Sequence, residues 1–68
     1  MTETQAKAEL RKKGVVKFRG VTISETKEMK GNWQQYTGRY VVFVDGMRIN
    51  DDSVSMAKAF QIAKPYFR

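Results

Sequence analysis

Val41-Val42-Phe43-Val44-Asp45-Gly46-Met47-Arg48-Ile49-Asn50 decides the fold. Four strand-favouring residues run into Asp-Gly, and an alternating segment follows. That is the signature of a two-residue β-hairpin, because a type I′ turn needs positive φ at both central positions. The turn sets the register, with Val44 opposite Met47, Phe43 opposite Arg48, Val42 opposite Ile49 and Val41 opposite Asn50. Directly opposed residues project from one face. One face therefore carries Tyr40, Val42, Val44, Met47 and Ile49, the seat for a packed helix. The other carries Arg39, Val41, Phe43, Arg48 and Asn50.

Downstream, Asp51, Asp52 and Ser53 are each suited to cap a last helix over 53–67. Met56, Ala59, Phe60, Ala63 and Phe67 recur at three- and four-residue steps and form its apolar stripe. Pro65 removes a backbone donor and ends or kinks the regular helix near Lys64. Tyr66, Phe67 and Arg68 then pack on the sheet, the favoured reading, or contact a partner.

Upstream, a strand runs from about Trp33, interrupted near Gly38. The charged segment Glu25 to Asn32, ending in Gly-Asn, reads as an exposed loop or hairpin tip. Val15 to Ser24 is rich in β-branched residues and reads as one more strand. Val16 and Phe18 share a parity that Val21 and Ile23 break. Either a β-bulge at Gly20 restores the face, or the second half is buried on both sides. Thr2-Glu3-Thr4-Gln5 has capping-box form. Gly14 suits the C′ position of a helix whose apolar face is only Ala6 and Leu10. Residues 1–14 are thus a helix that docks on the sheet or frays into an arm. The expected fold is one α+β domain over 1–68, in α-β-β-β-α order. A three-stranded antiparallel sheet over 15–50 packs on the C-terminal helix.

Composition narrows the function. The chain has 68 residues, no Cys and no His, with thirteen basic and seven acidic side chains and a formal charge of +6. Lacking thiols, imidazoles, a phosphate-cradling glycine loop and any acid–base carboxylate pair, it is expected to be no enzyme, without cofactor or metal. Asp51-Asp52 reads as caps rather than a Mg²⁺ site. No apolar run has the length of a membrane span, and no signal-peptide pattern opens the chain. A cytoplasmic protein, monomer or weak dimer, is expected.

Residues 1–40 hold nine basic and four acidic side chains. The densest stretch is Arg11, Lys12, Lys13, Lys17 and Arg19. Clustered cations attract polyanions by releasing counterions. If Lys17 and Arg19 share the face of Arg39, Phe43, Arg48 and Asn50, that face mixes phosphate-binding cations with groups able to read bases in a major groove. Arg39 and Arg48 would face guanine, Asn50 adenine, and Phe43 or Val41 the thymine methyl. The plainer alternative is a solvated face whose arginine stems cover Val41 and Phe43. Trp33, with Tyr36 and Phe43, offers a stacking platform for unpaired bases, or else core or loop packing.

Phe18-Arg19-Gly20-Val21, Gly31-Asn32-Trp33, Tyr40 to Arg48 and Ser55 to Ala63 resemble three-stranded-sheet DNA readers. These are the arm-binding domains of tyrosine recombinases and the plant ethylene-response-factor domain. The resemblance covers about residues 15–67 with short motifs. It implies a sheet laid in the major groove of duplex DNA and braced by the C-terminal helix. The helix-strand order also resembles the double-stranded-RNA-binding domain. There, however, Ser53-Val54-Ser55-Met56 stands where that family places a basic cluster, which favours DNA. Size and charge are similar to those of small phage or mobile-element proteins, which would act in the host cytoplasm. The expected function is an accessory or regulatory DNA-binding protein. The alternative is a small phage-type protein that binds and inhibits or modulates a host protein, in the transcription or nuclease machinery, through an exposed strand edge.

Overall fold

A computed structural model describes the backbone of residues 1–68, and the side chains of all but Glu28, Met29, Lys30, Gln34 and Tyr36. The chain is α+β. Its elements are α1 (Glu3–Lys13), β1 (Val15–Phe18), β2 (Val21–Lys30), β3 (Trp33–Val44), β4 (Met47–Arg48) and α2 (Met56–Ala63), closed by a 3-10 turn over Lys64–Tyr66. The strands form an antiparallel meander in the order β1-β2-β3-β4.

There are four strands where three were expected, because Arg19-Gly20 is a turn and not a bulge. Arg19 has φ 51 and Gly20 φ 83, the two positive values of a type I′ hairpin, repeated at Asp45 (51) and Gly46 (81). Phe18 pairs with Val21 and Val16 with Ile23, so the parity break is the normal signature of a chain reversing direction. The second correction concerns Glu25 to Asn32. Its first six residues continue β2, and only Gly31-Asn32 turns, with Gly31 at φ 62.

Glu25 pairs with Tyr40 and Lys27 with Tyr36, so one residue of β2 faces three of β3, Thr37, Gly38 and Arg39. This is the interruption expected at Gly38, where φ is 73. The kink is held by local bonds. The Thr26 and Thr37 hydroxyls touch, Thr26 also donates to the Arg39 carbonyl at 3.2 Å, and Gly38 N–H donates to the Glu25 carboxylate at 3.1 Å.

Both helices lie on one face. Ala6 and Leu10 of α1, Ala59, Phe60 and Ala63 of α2, and Val16, Phe18, Val21, Ile23, Tyr40 and Val42 of the sheet form a single core. The capping box forms at Thr2 and Gln5, and Gly14 takes the left-handed C-cap at φ 79, so α1 docks rather than frays. Helix α2 starts later than expected. Val54 is still paired with Tyr40 in an antiparallel bridge, so Ser55, not Asp51, Asp52 or Ser53, is the cap. Pro65 ends the α-helix as expected, and Phe67 packs edge-on against Phe18 at 5.1 Å. Of the expected helix seat, Tyr40 and Val42 are buried and Val44 and Ile49 are partly covered. Met47 is 71% exposed, beyond the reach of α2.

Burial raises the Tyr40 phenol above its ordinary pKa; the Glu25 charge adds to this and Arg11 opposes it. The protonated phenol therefore belongs to the folded state, and its contribution is intact below about pH 10 and lost as pH rises through the folded value. We expect Tyr40→Phe to flatten part of this alkaline loss. Urea midpoints compared at pH 9 and 11, both near the phenol pKa of about 10, should fall further for the wild type than for the variant.

Candidate nucleic-acid interface

With both helices on one side, the opposite face is left to solvent. Register builds it in rows. Lys17, Thr22, Phe43 and Arg48 stand directly opposite one another across all four strands, and Val15, Ser24 and Val41 form the next row. At a strand spacing of about 4.8 Å, Lys17 and Arg48 stand roughly 14 Å apart, at opposite edges of the sheet. Phe43 is half-buried between them and Lys17 is exposed, while Val41 is shielded to 8%.

Arg39 and Arg48 flank this face and are anchored by neutral oxygens. Arg48 donates from Nε to the Asn50 carbonyl and from Nη2 to the Asp51 carbonyl, both at 2.8 Å. Arg39 donates from Nε to the Ser53 hydroxyl at 3.0 Å, and its Nη2 contacts the Ser53 carbonyl. None of the described carboxylates pairs with Lys17, Arg39 or Arg48. The ion pairs shown are Lys13–Glu9 and Arg68–Asp45. Each arginine is held in place with its charge uncancelled.

Five expected members lie elsewhere. Asn50 is buried, because its amide replaces a stretch of backbone pairing at the edge of β3. Its Oδ1 accepts from Val42 N–H at 2.8 Å, and its Nδ2 donates to the carbonyls of Asp52 at 2.7 Å and Tyr40 at 3.4 Å. It has no donor–acceptor pair free for adenine. Arg19 sits in the β1–β2 turn, donating from Nε to the Arg68 main-chain oxygen at 3.0 Å, with its guanidinium 5.9 Å from the Phe67 ring centre. Arg11, Lys12 and Lys13 occupy the last turn of α1, in the helix layer, and Lys13 pairs with Glu9. The basic cluster is thus divided between two layers, because Gly14 turns the chain from helix into sheet.

Thr22 and Ser24 are small polar members of the open face that sequence reasoning did not single out, although their alternation with Val21 and Ile23 was the available signal. Trp33 is 74% exposed beside the Gly31-Asn32 turn, not packed. Tyr36, its proposed stacking companion, lies outside the described side chains.

Among the described residues no cluster of three metal-ligating side chains occurs, and no helix is long and apolar enough to cross a membrane. The geometry defines an α+β protein with one helix-covered face and one wet, cation-flanked face. No family model, curated protein or solved structure matches the chain.

Proposed function

We propose that the protein binds duplex DNA through the open face of its sheet, as an accessory or regulatory factor that grips phosphates more than it reads bases. The supporting observation is the row Lys17–Thr22–Phe43–Arg48, with a cation at each edge and no described carboxylate neutralising either. Its span of roughly 14 Å compares with a major groove about 12 Å wide. Lys17 and Arg48 would meet phosphates on opposite walls while Phe43 faces the groove floor. Arg39 adds a third phosphate contact. Arg39 and Arg48 already spend Nε and Nη2 on oxygens of Ser53, Asn50 and Asp51, which leaves fewer donors for a base edge, so the arginines serve position more than sequence.

The rival, a protein-binding modulator, would use the outer edge of β1, where Val15 is 44% exposed. That strand is only four residues long and carries Lys17, both of which discourage strand addition.

Three phosphate contacts predict a defined salt response. Between about 50 and 200 mM salt, affinity for duplex DNA should fall about 40-fold. Lys17→Ala and Arg48→Ala should each reduce the log–log slope by about one, equally on unrelated sequences. Fluorescence anisotropy with labelled duplexes measures both. A salt-independent affinity, or no binding to DNA with saturable binding to a protein, overturns this function.

A further inference from the structure

Beyond the bulge at Thr26, β2 and β3 continue as a two-stranded ribbon. Lys27 is opposite Tyr36, Glu28 opposite Gln35, Met29 opposite Gln34 and Lys30 opposite Trp33. None of its described side chains is buried. Yet it carries the single Trp of the chain, 74% exposed at its end. Folding leaves the largest apolar side chain available unused in a small domain, where burying such a group contributes about 1.5–3 kcal/mol. The arm's base is fastened by the Thr26–Thr37 contact, the Glu25–Gly38 bond and the Arg39–Ser53 bonds, so Trp33 is carried on a braced ribbon.

Position 30 has the parity of Thr22, Ser24 and Thr26 on β2. Trp33, directly opposite it, therefore continues the open-face side. From Thr22 to this position is eight residues, about 27 Å at the usual strand rise. That is about eight base-pair steps of 3.4 Å. The segment between is balanced in charge, with Lys27 and Lys30 against Glu25 and Glu28. An aromatic ring so placed, beyond a phosphate-gripping face, suits a base that has left the helical stack.

We infer that Trp33 stacks on an unpaired DNA base next to the bound duplex, so that the protein prefers duplex–single-strand junctions over uninterrupted duplex. This rests on duplex binding by the open face. The two contacts are separable because Lys17 and Arg48 lie at the far end of the sheet.

The sole Trp makes its own emission the test. The intact protein is titrated with a blunt duplex of about twelve base pairs and with the same duplex bearing a short single-stranded overhang. Stacking of one base should tighten the overhang complex by about five- to hundredfold and quench the emission, with the blunt duplex quenching little. Trp33→Ala should abolish the preference and leave blunt-duplex affinity unchanged, while Trp33→Phe should retain part of it. Equal affinities without quenching overturn the junction contact and leave open-face binding standing. Absence of salt-dependent binding to either DNA removes both. A blue shift produced by protein concentration alone would assign Trp33 to an interface between copies and would also overturn it.

Discussion

Phe60→Ala is expected to remove most of the folding free energy. The Phe60 ring is 3% exposed and stands 6.5 Å from the Phe18 ring, tilted by 52°, with the Lys7 ammonium over it at 5.4 Å from the ring centre. It ties α2 to the sheet at the point where α1 also packs. Truncating a buried Phe costs about 3–5 kcal/mol, the transfer term plus the cavity left behind. A chain of this length has only about 3–10 kcal/mol to lose, at the usual stability per residue. Urea unfolding followed by far-UV circular dichroism should show the variant largely unfolded at 25 °C or with a steeply lowered midpoint. A loss of unfolding free energy below about 1 kcal/mol would mean that the Phe60 core is not the one that holds the chain together.

The second large effect is expected at Asn50. Asn50→Asp preserves shape and the acceptor for Val42 N–H, but sets a carboxylate oxygen against the Tyr40 and Asp52 carbonyls where an amide donated. Leaving buried polar groups unsatisfied costs about 1–3 kcal/mol, and more when one is charged. We expect a loss of about 3 kcal/mol at neutral pH. Burial and the facing carbonyls raise the folded pKa of the introduced carboxyl. The neutral acid therefore belongs to the folded state, and the variant should recover stability relative to wild type as pH falls toward about 4. DNA affinity should fall only in step with the folded fraction. A selective loss on adenine-containing sites in a fully folded variant would restore Asn50 as a base reader.

What the sequence conceals follows from particular residues. The Asp45-Gly46 hairpin, the Thr2 capping box and the α2 stripe are local signals, and each formed as read. Arg19-Gly20 stayed hidden because arginine rarely takes φ 51, a left-handed conformation that costs an L-residue about 1–2 kcal/mol. What offsets it comes from the far end of the chain. Arg68 N–H donates to the Arg19 carbonyl at 2.9 Å, Arg19 donates back, and the Arg68 guanidinium clasps Asp45. Glu25 to Lys30 read as a loop because its run of charged residues, Glu25, Lys27, Glu28 and Lys30, offers no hydrophobic alternation to betray a strand. For the candidate site, parity placed Lys17, Arg39, Phe43 and Arg48 on one face. It failed at Asn50, because projecting side chains from a turn assumes that backbone pairing continues, and there a side-chain amide took over.

The meander also governs how the chain reaches this state. Every strand pairs with its neighbour in sequence through a reversal of only two residues, and the entropy of closing a loop grows with its length. Ordering can zip outward from Arg19-Gly20, Gly31-Asn32 and Asp45-Gly46 independently, leaving the Tyr40–Val54 bridge and the settling of α2 as late, longer-range events. A topology so dominated by local partners belongs with the rapid folders for its size, with little time spent as exposed, sticky intermediates.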